Sequence, residues 1–148
     1  MRKSITVLLS VTALALPSVN AWAAATSHKA GTVPKKKIVT IRKSFTGDPG
    51  SAGRWGNVQV VIVVRKTTTT VIKTKKKTVT RQITSATAPV YPNHTDRSIF
   101  INQQALPYLI QETLQAQSTS INMVSGATDT SSAFQSSLQS AIVQANAW

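Results

Sequence analysis

Asn57-Val58-Gln59-Val60-Val61-Ile62-Val63-Val64-Arg65-Lys66 is the stretch that decides the fold. Strands place alternate side chains on opposite faces, so Val58, Val60, Ile62 and Val64 form one apolar row. Gln59 and Arg65 lie on the other face, as do Val61 and Val63, so both faces are expected to be partly covered. Downstream, Thr67 to Thr70 is polar and β-branched and suits either a turn or a continuing strand. Lys73, Lys75, Lys76 and Lys77 then interrupt any apolar pattern, so residues 67–77 read as an enlarged, charged hairpin tip. A returning strand is expected over Thr78 to Ala88, with Val79 and Ile83 alternating with polar residues.

Upstream, Ile38-Val39-Thr40-Ile41 could form a short first strand, and Gly47-Asp48-Pro49-Gly50-Ser51 is dense in turn residues. After the strands, the two prolines of Pro89-Val90-Tyr91-Pro92-Asn93-His94-Thr95-Asp96 predict a loop. Ser98 to Gln104 reads as a short helical turn. Pro107 suits the first position of a new helix running to about Gln117. Ser118 to Ser120 breaks it, and Ile121 to Val124 is apolar enough to lie along the core. A last helix is predicted from near Thr130, because Phe134, Leu138, Ala141, Ile142 and Ala145 recur at helical spacing. Strands followed by helices indicate α+β: a small antiparallel sheet of about 3–5 strands packed with two main C-terminal helices.

The 148 residues allow one domain with a modest core. Arg2 and Lys3, the apolar run Ile5 to Leu16, and Ala21-Trp22-Ala23 have the layout of an export signal. Residues 1–23 are therefore expected to be a signal peptide cleaved near Ala23. About 12 apolar residues fall short of the roughly 20 that span a bilayer. Residues 24–46 read as a basic, largely disordered lead-in containing the short strand at 38–41, and residues 47–148 as the folded domain. There is no Cys, which removes disulfides, thiolate metal sites and Cys nucleophiles.

Charge is uneven. Residues 24–97 carry 15 Lys and Arg against Asp48 and Asp96, whereas residues 98–148 carry none against Glu112 and Asp129. Such a field attracts anionic lipid headgroups or cell-surface polymers. Nucleic acid is not expected as a partner of an exported chain. His28 and His94 are too few, and the four acids too scattered, for a serine triad or a metal site.

The chemical content lies in Ile121-Asn122-Met123-Val124-Ser125-Gly126-Ala127-Thr128-Asp129-Thr130-Ser131. A small, flexible turn opening into a helix gathers free N–H groups and the positive end of the helix dipole, which suits a phosphate. This segment resembles the signature of the FMN-binding domain family, which includes flavin-carrying subunits of sodium-pumping NADH:quinone oxidoreductase and small exported flavoproteins. Two further blocks are similar: Gly56-Asn57-Val58-Gln59-Val60, and the segment from Asn102 through Ala105-Leu106-Pro107 to Gln117-Ser118. The likeness covers residues 53–147.

The resemblance implies FMN as cofactor, held by Ser125, Gly126, Ala127, Thr128, Thr130 and Ser131. Met123, Val124, Asn102 and Leu106 are candidates beside the ring, and Trp55 or Tyr91 could stack on it. It also implies that a separate flavin transferase, working from FAD, can link FMN to Thr128 through a phosphoester. Many flavinylated relatives carry Asp where this chain has Asn122, which bears on covalent attachment. The function expected is an exported flavoprotein that relays electrons to or from a partner protein. The alternatives are a basic cell-surface binding protein whose flavin site has lapsed, and a flavin enzyme with its own small substrate.

Overall fold

A computed structural model describes residues 34–148. The expected signal peptide and the lead-in up to residue 33 lie outside the described residues. Four antiparallel strands form the sheet: β1 (Lys36–Thr46), β2 (Gly50–Ser51), β3 (Asn57–Val71) and β4 (Lys77–Val90). A single 3-10 turn, Gly53–Trp55, joins β2 to β3. Two helices follow, α1 (Asp96–Ala116) and α2 (Thr128–Ala147). The α+β reading and the order of strands before helices are borne out.

β3 is central. One side pairs with β4; the other pairs with β1 along Val61 to Val71 and with β2 at Asn57 and Val58. The alternation works as expected, since Val58, Val60, Ile62 and Val64 are all buried, while Val61 and Val63 are half-buried. α2 packs on β3 and presents Phe134, Leu138, Ala141 and Ala145 to that row. α1 packs against β4 and contributes Leu106 and Leu109 to the same core. Removing this continuous apolar surface from water is the main stabilising contribution.

Polar residues of α2 also hold the sheet. The buried Ser137 Oγ accepts a 2.9 Å hydrogen bond from the Val60 N–H, which lies between the two strands sharing that side of β3. Farther along, Ser140 Oγ accepts from the Asp48 N–H and donates to the Asp48 carboxylate, and Gln144 donates to the Thr46 carbonyl. Gln117, in left-handed conformation at the end of α1, pairs through its amide with both backbone groups of Ile83. A register shift separates the Val63–Ser85 and Val64–Ile83 pairs there, and the Gln117 amide acts as a substitute peptide group.

Four boundaries differ from expectation. The lead-in does not extend to residue 46, because Lys36–Thr46 pairs with β3 over its whole length. Thr67 to Val71 continues β3 rather than starting the tip; its β-branched residues suit a ladder with partners on both sides. The turn is confined to residues 72–76, where Val71 N–H donates to the Lys76 carbonyl. Pro89 and Val90 close β4, an edge strand where a missing N–H is tolerated. Finally, Pro107 does not begin a helix but lies inside α1. The ring deprives the Gln103 carbonyl of a donor, but both residues are exposed, so water can satisfy that oxygen.

Candidate functional site

The first turn of α2 is unlike that of α1. α1 is capped by Thr95, whose Oγ accepts from the Ser98 N–H at 3.1 Å. α2 is preceded by Ala127, which has no side chain able to cap it. Among the described residues, no acceptor pairs with the N–H groups of Thr128, Asp129 or Thr130. A helix start of this kind concentrates unsatisfied donors and the positive end of the dipole at one point.

The approach to that point is shaped by Gly126. Its φ of +80° is left-handed, and a Cβ built there would meet no atom within 4 Å. The position therefore requires glycine for its backbone and leaves the space in front of the turn open. The Ala127 N–H donates to the Val124 carbonyl and closes the bend. Behind it, Ser131 Oγ accepts from the Val124 N–H at 3.1 Å and donates to the Ala127 carbonyl at 2.9 Å. Ser131 thus shapes the turn from its buried side.

A cleft of about 240 Å³ lies in front of the turn. Gly126, Ala127, Thr128, Asp129 and Thr130 form one wall, and Arg97, Ser98, Ile101 and Asn102 of α1 form another. Trp55 and Pro92 complete it. Asn102 is buried and ties these parts together. Its amide nitrogen donates to the Pro92 carbonyl at 2.7 Å, and its oxygen accepts from Thr130 Oγ at 2.8 Å. Trp55 is braced by His94, stacked at 6.3 Å between centroids, and by the Arg54 guanidinium 4.6 Å from its ring centroid.

The residues singled out in the sequence therefore divide. Gly126, Ala127, Thr128, Thr130, Asn102 and Trp55 line the cleft. Thr128 is exposed, and among the described residues its hydroxyl makes no internal hydrogen bond. Ser131 and Val124 support the turn from behind, and Leu106 is part of the core. Ser125 and Met123 are exposed beside the cleft without lining it, and Tyr91 packs against the core. Arg97, Ser98, Ile101 and Pro92 are lining residues that the sequence reading missed. The capping pattern Thr95-x-x-Ser98 was the available signal, because it starts α1 early enough to bring Arg97 and Ile101 to the cleft.

Arg97 is the cation among the lining residues and Asp129 the anion. The guanidinium favours a bound phosphate, whereas Asp129 repels one and gains from the helix dipole instead. A second polar group lies on the outer side of α1. Asn122 donates its side-chain amide to Glu112 at 3.0 Å. Glu112 also faces Tyr108 one helical turn away; its charge, and then its hydrogen bond with the phenol, raise the Tyr108 pKa above the usual 10.0. Glu112→Gln is expected to lower that pKa towards its ordinary value, read as phenolate absorbance in an alkaline titration. An unchanged titration would mean that the two groups do not face each other.

A family model described as FMN-binding domain matches residues 53–143. The match begins at the 3-10 turn carrying Trp55, takes in both helix starts that frame the cleft, and ends within α2. No curated protein matches the chain.

Proposed function

Because the chain belongs to the FMN-binding domain family, with FMN as its cofactor, we propose that it is an exported flavoprotein relaying electrons between partner proteins. The observation that carries the reading is the uncapped start of α2, which leaves three N–H groups and the Thr128 hydroxyl facing an open cleft. The residues present fit the cofactor. The N–H groups of Thr128, Asp129 and Thr130, together with Arg97, would hold the phosphate. Trp55 and Ile101 supply the flat and apolar surface that a flavin ring needs, and Asn102 keeps the two helix starts in register. When bound, FMN supplies one- and two-electron chemistry.

Covalent attachment is the finer part of the proposal. Thr128 is accessible to another protein, and its hydroxyl proton would be exchanged for the FMN phosphoryl group as a transferase releases AMP from FAD. Asn122 does not supply the carboxylate common at its position, but Glu112, which accepts its amide proton, does bring one there. Export would follow from the residues 1–23 signal, with cleavage near Ala23. The partner is a redox protein rather than a small substrate.

Absorbance of the protein purified from its export route tests this. A yellow protein whose flavin fluorescence survives denaturation supports a covalently loaded carrier. Colour released on denaturation supports FMN held without the ester. A colourless protein that FMN cannot reconstitute would overturn the redox reading in favour of a basic surface protein with a lapsed site.

A further inference from the structure

β3 is long, and its two ends differ. The cleft is lined by Trp55, two residues before the strand starts at Asn57, whereas Val71 ends the strand at the hairpin turn. With about 3.3 Å of rise per residue, those ends are roughly 45 Å apart along the sheet. At the far end two segments distant in sequence converge. Lys36 is in register with Val71, Lys37 with Thr70, and Thr70 with Lys77. The Ile72 N–H donates to the Lys35 carbonyl, which fastens the beginning of β1 to the hairpin turn. Lys35, Lys36 and Lys37 are thereby gathered with Lys73, Lys75, Lys76 and Lys77 on one end of the molecule.

None of the four acids lies in β1, in the turn or in the distal half of the hairpin. A surface built only for solubility intersperses both signs. Aliphatic side chains accompany the lysines: Ile72 is 58% exposed at the turn, Val39 and Val79 are also open to solvent, and Ile38, in register with Thr69, is exposed on the opposite face of the sheet. Val39 and Val79 flank Thr68 in one row. That row lies on the same sheet face as Val64 but farther along β3 than the buried row that α2 covers.

We propose that this end of the sheet docks on an anionic bilayer surface, the lysines facing lipid phosphates and Ile72, Val39 and Val79 entering the interface. A soluble polyanion accounts for the lysines but gives the exposed aliphatic residues nothing to bury, whereas a membrane interface serves both. Docking by this end would hold the cleft away from the lipid, open to a partner. The proposal does not depend on the flavin being bound.

Sedimentation of the exported chain, from residue 24 onward, with vesicles tests it. Binding should be stronger to phosphatidylcholine mixed with phosphatidylglycerol than to phosphatidylcholine alone, and the excess should fall as salt is raised. Replacing Lys73, Lys75, Lys76 and Lys77 by Gln should lower that excess by several hundred-fold, at about five-fold per lysine. Ile72→Ser should weaken vesicle binding and leave retention on immobilised heparin unchanged. Equal binding to neutral and anionic vesicles, or an excess unaffected by the four Gln substitutions, would overturn the proposal. So would an Ile72→Ser variant that binds anionic vesicles as well as the parent, since a polymer would then be the better partner.

Discussion

Gly47→Ala is expected to leave little folded protein. A Cβ at Gly47 would lie 1.9 Å from the backbone oxygen of Ser137 and 2.8 Å from its Oγ. The closest obstacle is helix backbone, which cannot rotate away as a side chain could. α2 would have to move outward, and several contacts would go with it. The Gly47 N–H donates to the Val60 carbonyl at 2.8 Å, and the Val60 N–H donates to Ser137 Oγ at 2.9 Å. Overpacking alone costs about 1–3 kcal/mol. Leaving the buried Val60 N–H without a partner adds about 1–3 kcal/mol. Against a total stability of about 5–15 kcal/mol, that is a large share. A thermal melt should shift down by about 10–20 °C, or the variant should be recovered only as aggregate. Gly53→Ala is the comparison. Its φ of +60° is strained for Ala, but no atom lies within 4 Å of the added carbon, so the cost is about 1–2 kcal/mol. If both variants melt alike, α2 does not approach this loop as closely as drawn.

The contrast between these glycines shows what the sequence could and could not convey. Val58 to Val64 announced the central strand because burial on one face imposes a period of two. Phe134, Leu138, Ala141 and Ala145 announced α2 by the same logic at helical spacing. Ser137, Ser140 and Gln144 lie between those positions and read as a solvent face, yet they bond to Val60, Asp48 and Thr46. Nothing local marks a serine as the partner of a backbone group 77 residues away in the chain. Likewise, only Ile38 to Ile41 read as a strand within the basic lead-in, and the strand runs from Lys36 to Thr46; its flanking residues are polar and exposed, and their pairing with β3 is a backbone property that side-chain patterns barely register.

At the site, the turn was legible and its surroundings were not. Gly126 and Thr128 follow from the local motif, since φ above zero and a helix start are encoded within a few residues. The opposite wall comes from α1, whose start at Asp96 was hidden by reading Pro107 as an initiator. With one continuous helix, Arg97, Ile101 and Asn102 fall beside the cleft. Thr130 and Ser131, which the resemblance placed among the residues holding FMN, use their hydroxyls on Asn102 and Ala127. Their contribution to an anion is thereby reduced to the backbone N–H of Thr130 and to the shape of the bend.

Thr128→Ala is expected to abolish covalently retained flavin while leaving the fold intact. The side chain is exposed at the mouth of the bend and is not part of the core, so its removal should cost at most a few tenths of a kcal/mol. Chemically the change is total, because Ala has no oxygen to carry a phosphoester. The protein should be expressed together with a flavin transferase, and its mass and its fluorescence after denaturation compared with the parent. The parent should carry the added mass of one FMN, Thr128→Ala none, and Thr128→Ser some, since Ser keeps the hydroxyl. Non-covalent FMN should still bind the Ala variant, because the N–H groups of Thr128, Asp129 and Thr130 and the Arg97 guanidinium are untouched. Thr130→Ala separates position from chemistry. It removes the bond to Asn102 that holds the two helix starts together, so it should weaken both modes of binding without removing the linking oxygen. Label that persists in Thr128→Ala would move the attachment to another hydroxyl, and the assignment of this bend as the linkage site would fall.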